Sequence, residues 1–423
     1  MMPPTVHPFL GSLLKGGGDA PHSLPLPEEG TWETIISGAT TEGLLPLLYR
    51  WLKESGSDRE LPHSAIDRIK ASAFQLAARN ITLAQELASI LRLFESRQVV
   101  CAPIRGLALA ELLYGDITAR PMGDIDLLVR KEDLPMVAET LSGLGFREIN
   151  RRPGFAQAYS YTLGFFKNRH GRIIVEPHWT IAYPPYVDSV DMEAVWSRCV
   201  KRQFLGVETW SLCREDLLLH LCFHALHHDE QAPLLWFYEL DRLIRQTGAE
   251  LDWSRLLLIA RQTGQRLILS AVLERLKDLF DSPIPDQILS TTQPTPVSAR
   301  GGEGPVRRRI AAVLAGDARL DGREEFATFF TIKGLRPKTR YALALLFPSL
   351  EFMRLRYGFS GGARLGFCYL TRFMDLTWKG IKWTAALLFG AGGGDRTRTG
   401  RLAHGILSPG RLPIPPPRQT PPV

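Results

Sequence analysis

Cysteine is scarce in this chain and never clustered. The five cysteines, Cys101, Cys199, Cys213, Cys222 and Cys368, contain no Cys-x-x-Cys pair. That scatter fits buried thiols in a reducing cytoplasm better than a disulfide framework. Long apolar runs are also missing. A membrane-spanning helix needs roughly 18–20 apolar residues, and the nearest stretches, Tyr341–Leu350 and Trp383–Phe389, are too short. They read as buried amphipathic helix rather than membrane-surface segments. Met1–Gly18 has no basic start followed by an apolar run, so no secretory leader is expected. Neither Gly16-Gly17-Gly18 nor Gly392-Gly393-Gly394 is followed by Lys-Ser/Thr, which excludes a phosphate loop of that type. No internal repeat is present.

A concentrated basic face is lacking too. The net charge is +7, but from Gly390 onward Arg396, Arg398, Arg401, Arg411 and Arg418 face only Asp395, which places +4 in the tail. Arg307-Arg308-Arg309 reads as solvated helix surface. The body carries too little excess charge to mark a nucleic-acid binder. What the chain does have is length, 423 residues, with 45% hydrophobic and 22% charged residues. That suffices for two or three globular domains.

Residues 1–29, rich in Pro, Gly and His, read as a flexible leader. Helical periodicity follows over 30–98, with Ser64 as expected N-cap of a long helix. The pattern then changes. Val99–Ile104, Ile125–Val129, Phe146–Ile149, Ser160–Phe166 and Arg172–Val175 read as strands, with helices at Gly106–Tyr114 and Glu132–Leu144. Alternation of this kind predicts a small mixed sheet within 99–185. Residues 186–280 are expected to be helical. Residues 281–305 read as a linker or long loop, 306–389 as a helical segment, and 390–423 as a disordered Gly/Arg/Pro-rich tail. The fold class expected is α+β, a small mixed β-sheet core flanked by N-terminal helices and a C-terminal helical domain.

The chemistry concentrates in Arg120-Pro121-Met122-Gly123-Asp124-Ile125-Asp126-Leu127-Leu128-Val129. Residues two apart on a strand share a face, so Asp124 and Asp126 are expected to project together. Adjacent carboxylates repel unless a cation lies between them, and Mg²⁺ (or Mn²⁺) takes such oxygen ligands while sharing others with phosphates. Glu176, in Arg172-Ile173-Ile174-Val175-Glu176-Pro177-His178-Trp179, is the candidate third carboxylate, as metal ligand or as base toward an acceptor hydroxyl. His178 shares its face. Pro177 lacks the donor a central strand needs and suggests a sheet edge or a strand end. A lone Asp-x-Asp arises by chance often; here it opens an apolar strand between two helices. Arg120 either holds a triphosphate oxygen or pairs with a neighbouring acid.

Arg105-Gly106, Leu109, Tyr114, Arg120, Asp124-Ile125-Asp126-Leu127-Leu128-Val129, Gly145-Phe146, Glu176 and His178-Trp179 together resemble the uncharacterised bacterial nucleotidyltransferases of the DNA polymerase beta-like superfamily. Similar pieces recur at Asp216–His224, Trp236–Arg245 and Pro348–Tyr357, so the resemblance extends over about Gly30 to Trp383. It implies nucleotidyl transfer from a nucleoside triphosphate with Mg²⁺ held by Asp124, Asp126 and Glu176, and phosphate contacts from Arg105, Gly106 and Arg120. Arg105 stands where the family usually has lysine. The acceptor, a small molecule or a protein or peptide, is not implied. The rival reading is a catalytically weak or inactive nucleotide-binding or protein-interaction module on the same fold. His220, His224 and His227 fall on one helical face. With Leu221 in place of the glutamate, this is no His-Glu-x-x-His motif; packing, a substrate contact and metal binding all stay open for that face.

Overall fold

The computed structural model describes residues 6–15, 24–149, 153–169, 171–183, 186–228, 232–292, 328–329, 332, 334–350, 352–353 and 363–389. The expected tail 390–423, Arg307-Arg308-Arg309, both triple-glycine stretches and residues 293–305 of the expected linker lie outside them. By their packing, the described residues up to 149 and those from 156 to 292 form one compact unit; 153–155 and those from 328 onward belong to a second.

In the first unit, α1 (Pro8–Leu14), α2 (Trp32–Thr41), α3 (Leu45–Ser55) and α4 (His63–Ser96) lead into the sheet. Ser64 is not the N-cap of α4: Pro62 takes that position, with φ −53° and ψ 136°, and His63 opens the helix. Then come β1 (Cys101–Pro103), α5 (Gly106–Tyr114), β2 (Ile125–Val129), α6 (Leu134–Gly143), β3 (Arg147–Ile149), α7 (Phe155–Tyr159), β4 (Gly164–Asn168) and β5 (Arg172–His178). The five strands form one mixed sheet in the order β1-β2-β5-β4-β3. Only β2 and β5 run parallel; the other neighbours are antiparallel.

The period of two along β2 sorts its side chains. Ile125, Leu127 and Val129 join Leu83, Leu87 and Phe94 of α4 and Val137 and Leu141 of α6 in the main core. Asp126 and Leu128 therefore turn to the opposite face. Pro177 does not mark an edge, because β5 is a central strand. It sits beyond the last β4 pairing, Phe165 with Val175. There its carbonyl accepts from the Leu163 amide at 3.1 Å and Thr162 Oγ1 at 2.9 Å. The strand end tolerates a proline because no ladder bond to β4 is lost.

Past the sheet, α8 (Met192–Arg198) is followed by a hairpin, β6 (Val200–Phe204) and β7 (Val207–Ser211), in a stretch expected to be helical. Leu205 and Gly206 both have positive φ, 51° and 75°, as a two-residue hairpin turn with strand-matching twist requires. A lone glycine gave little turn signal. Thr209 Oγ1 ties the hairpin to Cys101 O of β1 at 2.7 Å. The helices α9 (Arg214–His228), α10 (Leu234–Thr247), α11 (Trp253–Gln262) and α12 (Arg266–Phe280) follow, then α13 (Asp286–Thr292), a helix where loop was expected. In the second unit, α14 (Leu335–Leu346) and α15 (Ala363–Phe389) are described, and Arg372 Nε of α15 donates to Leu345 O at 2.6 Å. No helix among the described residues is long and apolar enough to cross a membrane.

One buried side chain anchors the loop that leads into β2. Asn80 of α4, fully buried, donates through Nδ2 to Ile117 O and Arg120 O, both at 2.8 Å. Replacing Asn80 with alanine strands two carbonyls inside the protein. The Asn80→Ala protein is expected to lose about 1–3 kcal/mol in urea unfolding; an unchanged midpoint would show that water replaces the amide.

Candidate active site

The chain enters the site at the turn between β1 and α5. Arg105, at the N-cap of α5, is extended, with φ −142° and ψ −153°, and Gly106 follows with φ 48°. A Cβ on Gly106 would stand 3.5 Å from Asp124 O and 3.8 Å from Met122 Sδ. The left-handed backbone and the close passage of the segment before β2 both favour glycine there. The turn aims Arg105 inward, beneath the face of β2 that carries Asp126.

Asp126 and Arg105 form a buried ion pair, their side chains 3% and 9% exposed. The second nitrogen of the guanidinium, Nη1, donates to Tyr183 Oη at 3.0 Å and lies 3.1 Å from His224 Nε2. His178 Nε2 stands 3.1 Å from Asp126 Oδ1 and 3.3 Å from Arg105 Nη2. Glu176 is the register partner of Asp126 across the parallel β2–β5 pair, and its Oε2 lies 3.9 Å from His178 Nε2. Glu176 keeps 32% of its side chain exposed, so the cluster runs from a buried carboxylate to one that meets solvent. Asp126, Glu176 and His178 each offer a ligand atom, all within 4.8 Å of one another. Two carboxylates and an imidazole at that spacing fit around one divalent ion.

The charges follow from burial and partners. Burial pushes the Asp126 carboxyl up, but the Arg105 charge and the His178 contact outweigh it and hold the group well below the ordinary carboxylate range. Burial also opposes the Arg105 charge; Asp126, then Tyr183, Asp124 and Glu176, raise it beyond the usual arginine value. His178 is lowered, chiefly by burial and against the pull of Asp126. Its Nδ1 has no hydrogen-bond partner among the described residues.

Asp124 lies just before β2, half-buried, and is not a member of the three-residue cluster. Its charge acts on Arg105 and on Arg79, a cation of α4 whose guanidinium donates to Arg172 O and Gly123 O. Arg120 is engaged elsewhere. Its Nε is 2.7 Å from Glu239 Oε1 of α10, both groups buried, and its Nη1 donates to Gly106 O at 3.2 Å. Of the two roles open for Arg120, pairing with an acid is the one observed, and it fastens α10 to the start of α5.

The histidine face of α9 divides. His224 reaches Arg105 and Tyr183, with Tyr183 Oη 3.0 Å from His224 Nδ1, and stacks against Trp236 at 4.1 Å between ring centroids. His220 is buried, its Nδ1 donating to Ile181 O at 2.8 Å while Nε2 has no partner among the described residues. The side chain of His227 lies outside the described residues. Tyr183 and Arg79 carried no sequence signal; Tyr183 sits in a loop and joins the site only through the sheet's topology.

A mixed five-stranded sheet with carboxylates paired across its two parallel strands, an imidazole beside them and an arginine at a helix start defines an α+β protein with a polar centre whose donor atoms could hold a cation. The chain matches the family described as uncharacterised nucleotidyltransferase over residues 28–281 and belongs to it. That membership supports a general nucleotidyl-transfer role. Among solved structures it is similar to an antigenic nucleotidyltransferase-like protein from Paracoccidioides brasiliensis, at 14% identity and a TM-score of 0.33, covering 49% of this chain and 92% of that one. No curated protein matches the chain.

Burial lowers the His220 imidazole from 6.5 to about 3, with the nearby Arg105 charge adding to the effect. A group whose folded pKa is depressed lends stability that is complete above its unfolded value and lost as pH falls toward the folded one. The wild type is therefore expected to lose stability relative to His220→Gln as pH drops from about 6.5 to about 3, and the difference between them to be constant above that window. Parallel stability–pH curves from urea unfolding would show that His220 takes up its proton as readily in the folded protein as in the unfolded chain.

Proposed function

We propose that the protein transfers a nucleoside monophosphate from a nucleoside triphosphate to an acceptor, by attack on the α-phosphorus with pyrophosphate leaving. The observation that carries this reading is the register of the parallel pair. Asp126 and Glu176 stand opposite each other with His178 one step further along β5, in a chain that belongs to a nucleotidyltransferase family.

Asp126 and Glu176, with Asp124 at the mouth of β2, are the residues that hold Mg²⁺ or Mn²⁺ in this reading. Such an ion supplies charge neutralisation on the triphosphate and Lewis-acid polarisation of the α-phosphoryl group. The donor set fits, since Arg105 keeps Asp126 ionised and Glu176 retains access to solvent. Arg105 and the start of α5 at Gly106 face the phosphates, where a helix N-terminus favours anions. Arg120 acts on the phosphates through Gly106, whose carbonyl it holds. Glu176, half-exposed, orients the acceptor and takes the proton from its hydroxyl. Most of the rate enhancement then comes from positioning and preorganised charge. The helices after β7 wall the site, and the acceptor enters between them and the sheet. This reading places the protein in the DNA polymerase beta-like superfamily, as a bacterial, cytoplasmic enzyme with its catalytic core in residues 99–185.

The test is a calorimetric titration of ATP, GTP, CTP and UTP, with and without Mg²⁺, on wild type, Glu176→Gln and Asp126→Asn. Binding of at least one nucleotide is expected to depend on the metal and to weaken tenfold or more in both variants, about 1.4 kcal/mol or greater. Glu176→Gln keeps the buried pair intact and serves as the folded control. A folded wild type that binds no nucleotide would end the proposal. Tight binding that never leads to transfer would instead favour a nucleotide-binding module without turnover.

A further inference from the structure

We infer that Arg105 and a divalent cation exchange places on Asp126, so that Arg105 acts as a positioning residue coupling metal loading to the arrival of an anionic substrate group. The inference rests on the nucleotidyl-transfer reading and concerns the regulation of the same site.

The Asp126 side chain is almost wholly buried, and Arg105 Nη2 and His178 Nε2 both lie against the same oxygen, Oδ1. Arg105 and a divalent ion would compete for that one carboxylate. Two full charges of the same sign on it would repel strongly, because water does not screen them there. A divalent ion reaching Asp126 through the Glu176 side therefore requires Arg105 to withdraw.

The guanidinium is built to do so without leaving the site. Its two terminal nitrogens face different partners, Nη2 toward Asp126 and Nη1 toward Tyr183 and His224 on the helical wall. Tyr183 and His224 can steer a guanidinium but bring no carboxylate to compensate its charge. Once Asp126 is taken by a metal, Arg105 loses its principal anion and keeps only the weaker influence of Asp124 and Glu176, which favours a new anion close by. The start of α5, to which Arg105 belongs, is where a phosphate group would supply one. Metal without an anion thus leaves Arg105 less well compensated, and an anion without metal leaves Arg105 on Asp126. Each favours the other's binding, as reciprocal linkage requires.

The exchange is tested on the full chain with Mn²⁺ alone, free Mn²⁺ being read by electron paramagnetic resonance. Arg105→Gln keeps hydrogen-bonding capacity at the position but removes the charge, Arg105→Met removes both, and Arg105→Lys keeps the charge. Arg105→Gln and Arg105→Met are expected to bind Mn²⁺ at least about tenfold more tightly than wild type, given the size of a buried charge–charge repulsion. Arg105→Lys should stay close to wild type, and adding Asp126→Asn to Arg105→Gln should abolish the gain. Circular dichroism identifies which variants fold, and either neutral variant suffices. Equal Mn²⁺ affinity in wild type and a folded neutral variant would overturn the exchange, as would a gain that persists without Asp126. Because this measurement uses no nucleotide, its failure is separate from failure of the nucleotide titration.

Discussion

The Arg105–Asp126 pair is the contact on which the centre of the molecule turns. It joins the first residue before α5 to the middle of β2, and through His178, Tyr183 and His224 it reaches the end of β5, the loop beyond it and α9. Taking two ions out of water costs several kcal/mol each, and their attraction repays that only with close geometry and further hydrogen bonds. Here those bonds come from Tyr183 and His224 on one side and His178 on the other. Breaking such a pair by removing one member typically costs about 3–5 kcal/mol, so the position of Asp126 is held by more than strand pairing. The same bonding keeps the carboxylate ionised inside the protein, the state a cation-binding group needs.

A second buried pair, Arg120 with Glu239, works alongside it. Burial raises the Glu239 carboxyl above its ordinary value even though Arg120 opposes the rise. The link holds α10 against Gly106, and so the helical wall and the turn carrying Arg105 keep a set distance. Asn80 and Arg79, both from α4, hold the carbonyls of the loop before β2. The long helix thereby does two things: its apolar side fills the core, and its two polar residues hold the segment that leads into β2.

The sheet was legible because period two is a local signal, although Asp124, paired with Asp126 on that ground, falls just before β2 and outside the three-residue cluster. Ile125, Leu127 and Val129 alternate with Asp126 and Leu128 in the sequence as they do across the sheet, and Glu176 lies two residues from His178. What stayed hidden depends on topology. That Asp126 would face Glu176 required β5 to insert beside β2 in parallel, and no residue spacing announces such a crossover. Arg120 read as a phosphate contact or an ion-pair partner; its actual partner, Glu239, lies far along the chain. Pro177 suggested an edge or a strand end because proline removes a donor; it lies at the end of a central strand, where the segment before β4 still bonds to its carbonyl. The β6–β7 hairpin hid behind Leu205, which adopts a left-handed conformation rare for a branched apolar residue. His220 and His224 were grouped correctly by helical spacing, but only the fold divides them into one packed ring and one that faces Arg105.

The account's central claim is that this arrangement of charges serves nucleotidyl transfer. It is tested most directly by following label from nucleoside triphosphates radiolabelled at the α- or the γ-phosphorus, with Mg²⁺ and an extract fraction as acceptor source. The account predicts that α-label moves onto an acceptor while γ-label leaves as pyrophosphate in equal amount, with both movements absent in Glu176→Gln. Appearance of γ-label on the acceptor, or release of γ-label as inorganic phosphate alone, would contradict it.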